Sequence, residues 1–135
     1  MEIENPKSEI AGRTLGSSAR RFDLEERTLF FALAVRDFVR TLPRDIANVA
    51  DAAQVIRSSG SVGANYIEAN EALSKKDFLF RIKICRKEAK ESGYGLTLID
   101  AGRDAILRSR REALIRESGE LTNIFGAILR KTRPA

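Results

Sequence analysis

The sequence predicts an all-α domain, an antiparallel up-down-up-down four-helix bundle, on three observations. From residue 23 onward the apolar residues recur in steps of three and four; no segment alternates apolar and polar residues over strand length; and capping and breaking signals cut the pattern into four long stretches with short connections. The chain of 135 residues is one domain's worth, large enough to bury a core without covalent staples. Residues 1–22, which mix Pro6, Gly12, Gly16 and Ser17-Ser18 without helical period, read as a mobile N-terminal tail, and residues 23–135 as the bundle.

The first helix is expected to start at Asp23, a carboxylate cap answered by Glu26, with its seam on Leu24, Thr28, Phe31, Val35, Phe38 and Leu42, and to stop at Pro43. The second is expected from about Arg44 to Ala72, ~44 Å long, on the seam Ile46, Val49, Ala53, Ile56, Gly60, Gly63 and Ile67. Ser74 with Asp77 opens the third, seamed by Phe78, Ile82, Cys85, Ala89, Ser92, Leu96 and Ile99, with Gly102 as a stop. Ser109 with Glu112 is read as the start of the fourth, seamed by Leu114, Ser118, Leu121, Phe125 and Ile128. Gly60 and Gly63 inside a helix each cost about 1 kcal/mol against alanine, so they imply close approach of a neighbouring helix.

Composition removes several kinds of chemistry. There is no histidine and a single cysteine, Cys85, so serine-histidine and cysteine-histidine catalysis, histidine metal sites and an internal disulfide are excluded. Glu68, Glu88 and Glu91 lack the histidines that complete a di-metal carboxylate site, and no phosphate-binding loop motif is present. The reading is therefore a non-enzymatic protein without metal or cofactor, in a reducing cytoplasm. The longest apolar run, Leu29 to Val35, falls far short of the roughly 18 residues of a membrane span.

Apolar side chains remain after the seams are filled: Leu29 and Leu33 on the first helix, Val55, Val62 and Tyr66 on the second, and Phe80, Ile84, Tyr94 and Leu98 on the third. A lone bundle needs one apolar stripe per helix, so this second set predicts a homo-oligomer interface. Charge is uneven. Residues 73–90 hold seven basic and two acidic side chains, whereas residues 23–72 hold five and eight. Lys76, Lys83, Lys87 and Lys90 line one face of the third helix and are candidate contacts to RNA or DNA; the other reading of them is a solvated face that balances an acidic neighbour. Arg57, Ser61, Asn65 and Glu68, with Glu88 from the third helix, form a polar line that is either a register-fixing network or a ligand site.

The order of Asp23-Leu24 with Arg27 and Phe30-Phe31, then Leu42-Pro43, then RSSGSVGANYIEANEA over 57–72 and SKKDFLFRIKICRKEAKESGYGL over 74–96, resembles the bacterial four-helix-bundle proteins known as 23S rRNA intervening-sequence proteins. The matching elements are Arg57-Ser58, Ser61-Val62, Ala64-Asn65, Glu68-Ala69, Ser74, Asp77-Phe78, Lys87-Glu88 and Glu91, and the resemblance runs over nearly the whole chain after the tail. Gly95 stands where the family commonly carries tryptophan. The resemblance implies a closed ring, typically a homopentamer, with no established enzymatic activity. A similar pentameric bundle is the accessory protein of a retroelement reverse transcriptase, which makes RNA, DNA or a nucleic-acid-handling protein the implied partner.

Overall fold

The computed structural model describes residues 24–132, which form four α-helices: α1 Leu24–Val39, α2 Ile46–Asn70, α3 Lys75–Leu98 and α4 Ala105–Lys131. Asp23 and the segment read as a tail lie outside the described residues. Each helix packs on its chain neighbour and α4 returns to α1, the α2–α3 seam being the most extensive and the α1–α4 seam the thinnest. The antiparallel course of α2 and α3 shows in their cross-pairs, Ser58 with Ser92 and Asn65 with Arg81. This is the up-down four-helix arrangement that the spacing predicts.

Caps fix the boundaries. Asp45 accepts from the Asn48 amide at 2.8 Å and opens α2; Ser74 accepts from the Asp77 amide at 3.0 Å and opens α3. The fourth helix begins five residues earlier than its Ser109 signal, because Asp104 accepts from the amides of Ile106 and Leu107 at 2.9 and 3.1 Å. A carboxylate at a helix N-terminus satisfies two orphan donors and complements the dipole, and Leu107, buried one turn on, extends the apolar seam back to it.

The seams expected for α1, α3 and α4 are the buried ones, with Val35, Phe38, Ile82, Cys85, Leu96, Leu121 and Phe125 fully enclosed. On α2 the faces are exchanged. Val55 and Val62, read from sequence as interface residues, are 0% exposed and belong to the core, with Ser58, Ser59 and Ala69 beside them, while Ile46 is 91% and Ile67 48% exposed. The reason is geometric: the core face of α2 is built from small residues, so that α3 can come close. A Cβ at Gly95 would lie 2.5 Å from Val55 Cγ2, and one at Gly63 would lie 2.9 Å from Thr28 Oγ1. The two glycines thus admit α2 to its neighbours on both sides, and Gly95 leaves no room for a larger residue.

Two polar devices secure the bundle. Asn48, 2% exposed, donates to the carbonyls of Pro43 and Asp100 at 3.0 and 2.8 Å and accepts from the Asp100 amide at 3.0 Å, joining the α1–α2 and α3–α4 connections at one pole. Arg27 spans the thin seam between α1 and α4, its Nε and Nη2 donating to Glu117 and its Nη2 also to Glu120. The hydrogen bond to Glu117, opposed by partial burial, holds the guanidinium pKa above its ordinary value. Fork-shaped pairing of this kind fixes orientation as well as distance.

Candidate interaction surfaces

The α3 helix shows α2 one side and α4 another, leaving an outward strip between them. Gly95, Arg81 and Glu88 face α2, where they meet Val55, Asn65 and Arg57; Gly93 faces Ser118 of α4. At 100° per residue the remaining side carries Phe80, Ile84, Tyr94 and Leu98. Phe80 is 56% and Tyr94 69% exposed, Leu98 is similarly exposed, and Ile84 is half-buried. These four interface candidates therefore lie on one surface. Leu29 is exposed and Leu33 half-buried on the outer side of α1. Tyr66 is turned inward, half-buried with its ring centroid 6.0 Å from that of Phe125, and so leaves the interface set together with Val55 and Val62.

The exchange of faces on α2 uncovers a surface that the sequence reading assigned to the core. Gly63 and Thr28 mark the side of α2 toward α1, and Ser58 with Ser92 the side toward α3; between them Ile46, Val49, Ala53, Ala64 and Ile67 look outward and are exposed. The signal for this was the serine content of the opposite face. Adjacent serines whose hydroxyls bond the preceding turn or a facing hydroxyl, as Ser59 does to Ile56 O and Ser58 to Ser92, tolerate burial better than their polarity implies.

Lys76, Lys83, Lys87 and Lys90 are all exposed. Lys75, Lys76 and Lys83 rim a shallow hollow floored by Leu79 and Phe80, and the Arg81 guanidinium lies 5.9 Å from the Phe80 ring centroid. A second shallow groove, between the end of α1 and the first half of α2, is lined by Val39, Leu42, Pro43, Val49, Ala53 and Ile56, with Arg40 and Arg44 at its edge.

The polar line resolves into separate bonds. Arg57 Nη2 donates to Glu88 and Glu91 at 3.3 and 3.4 Å, and the half-exposed guanidinium makes this worth about 0–1 kcal/mol. Asn65 donates to the Ser61 carbonyl at 2.9 Å and accepts from Arg81 Nη1 at 3.1 Å. Behind them the Ser58 and Ser92 hydroxyls pair at 2.8 Å, and Ser92 donates to Glu88 O. Glu68 stands exposed and outside this set. Among the described residues every buried side-chain nitrogen and oxygen has a hydrogen-bond partner, and no three acidic or thiol side chains gather as a metal site would require. Such mutual satisfaction supports register fixing.

Cys85 is fully enclosed, and burial pushes its thiol from an ordinary 9.0 up to about 12. The folded chain should resist thiol alkylation at pH 8 and react fully in denaturant; rapid labelling of the native protein would contradict this burial. The folded state holds the proton more tightly than the unfolded one. The associated stability is intact below about pH 9 and declines as pH rises toward 12.

Among the described residues no helix is long and apolar enough to cross a membrane. No family model matches the sequence, and no curated protein matches it. The fold is similar to a crystal structure from Bacteroides thetaiotaomicron, a protein of unknown function from the S23 ribosomal protein family. The TM-score is 0.65 at 26% sequence identity, over 79% of this chain and 98% of that one. The resemblance carried by residues 57–72 and 74–96 is thereby seen in three dimensions as well.

Proposed function

We propose, from this kinship with the S23 ribosomal protein family, the 23S rRNA intervening-sequence proteins, that the chain is a non-enzymatic cytoplasmic scaffold that works as a homo-oligomer. One observation carries the reading: α2 and α3 each present an apolar stripe to solvent although the bundle core is already closed by their opposite faces. A single exposed leucine needs no explanation, but aligned stripes on adjacent helices, more than half-exposed at Phe80, Tyr94 and Leu98, are surfaces that bury against a partner. A closed assembly is the simplest way to cover both at once, and a ring of about five copies is the size that the family resemblance favours. In this reading the mutually bonded Arg57–Glu88 line serves the bundle rather than catalysis.

Light scattering on the purified chain tests this. The wild type should run at a multiple of its 15.0 kDa mass, and Phe80→Asp, placing a charge on the outward strip, should reduce that mass without loss of helical circular dichroism. A monomeric wild type overturns the proposal.

A second reading is supported by the exposed lysine line of α3, two of whose members, Lys76 and Lys83, border the exposed Phe80 ring: α3 contacts single-stranded RNA or DNA, directly or alongside a nucleic-acid-handling protein. Its affinity should fall steeply with salt, and Lys76, Lys83, Lys87 and Lys90 all changed to glutamine should abolish it; tight binding by that variant rejects the reading.

A further inference from the structure

We infer that the α3 strip of one copy docks on the outward α2 face of the next, head to tail and with the bundle axes running the same way. The inference rests on the self-assembly reading and specifies which surfaces meet. Contacts inside one bundle give the height of each α3 residue relative to α2. Ser92 pairs with Ser58, Gly95 abuts Val55 and Arg81 meets Asn65, so level positions have numbers that sum to roughly 146–150, counted on these pairs at ~1.5 Å per residue. A rotation about an axis parallel to the bundle preserves those heights.

At the pole where α3 ends, Tyr94 and Leu98 stand level with the first half of α2, where a second copy offers the open groove lined by Val49, Ala53 and Ile56. At the opposite pole, Phe80 is level with Ile67, which is exposed, while Lys75 and Lys76 are level with Glu71, also exposed. Between the poles, Lys83, Lys87 and Lys90 are level with Ala64, Ser61 and Gly60, small residues that leave room for their stems, and Arg57, also at the height of Lys90, is held by Glu88 and Glu91 of its own copy. Apolar thus meets apolar at both ends, and base meets acid at one.

The competing pairing, α3 of one copy against α3 of another, brings the lysine line against its own image. Like charges held together across an interface cost several kcal/mol. The α2 face carries no such basic line; its one basic residue, Arg57, is engaged by Glu88 and Glu91 of its own bundle, and Glu68 and Glu71 stand exposed on the same face. Because the two surfaces differ, the contact is heterologous: each copy has one of each kind to offer, and the assembly must close on itself to leave none bare.

Two variants separate the possibilities. The first, Phe80→Asp with Leu98→Asp, disables the α3 strip; the second, Val49→Asp with Ile67→Asp, disables the α2 face. Each alone should be a folded monomer by circular dichroism and light scattering. Mixed in equal amounts at high concentration they should double in mass and stop there, since the sole intact pair of surfaces joins one copy of each. With Ala53→Cys added to the first variant and Tyr94→Cys to the second, mild oxidation should link the heterodimer. An α2 variant that keeps the wild-type mass, or a mixture that stays monomeric, overturns the heterologous contact; a dimer that does not cross-link overturns the shared axis direction. A wild type that is itself monomeric removes the assembly on which the inference rests, a result distinct from these.

Discussion

Val55→Asp should unfold the bundle, whereas Ile67→Asp, twelve residues along the same helix, should leave it folded. Val55 has no solvent-exposed surface and its Cγ2 lies against Gly95. A carboxylate there has no water and no basic partner, and a close-packed backbone allows no retreat. Burying an unpaired ion costs several kcal/mol even after relaxation, so a loss of at least ~4 kcal/mol is expected, most of what a domain of this size has to lose. At Ile67 the charge points into solvent and should change monomer stability by no more than ~0.5 kcal/mol. Urea unfolding followed by circular dichroism distinguishes the two. Equal tolerance of both substitutions would mean that Val55 does not lie in a closed core.

Phe125→Ala comes next in size. Phe125 is fully enclosed in the core and its ring meets that of Tyr66 at a 53° tilt. Truncation removes the transfer energy of the ring and leaves a cavity that flanking helices cannot collapse into without disturbing α2; ~3–5 kcal/mol is typical of such a change. The denaturation midpoint should fall with little change in slope. Tyr66→Phe, which keeps the ring and removes only the hydroxyl, should cost much less.

The contrast between Val55 and Ile67 also shows where the sequence was readable. On α1, α3 and α4 the core face carries phenylalanine, leucine and isoleucine and the seam is the one that hydropathy picks out. On α2 it fails, because bulk and burial are decoupled: valine, serine and alanine pack the interior where helices approach most closely, and the bulkier Ile46 and Ile67 face outward together with Val49. The inference of two apolar faces survives with their roles exchanged. Pairing of Arg57 with Glu88 was legible from charge and spacing, although the distances are long and the pair half-exposed. Asn48 was not legible, since its partner Asp100 lies 52 residues away and an asparagine near a helix start has many local uses. Nor was the pairing of Arg27 with Glu117 legible, since the two lie 90 residues apart. The Ser109 signal was outcompeted by Asp104, whose side chain caps two amides at once.

The Asn48 amide fastens two connections to each other at one pole through three bonds shielded from water, whereas at the other pole the side chain of Asn70, the last residue of α2, is held by an exposed bond to Glu25, and Leu73 in the following turn is bare to solvent. The molecule is consequently hinged unevenly, like a sheaf tied more tightly at one end. Thermal breathing should begin at the looser end and travel toward the knot, with backbone amides near Asp100 the slowest to trade their protons with the surrounding water.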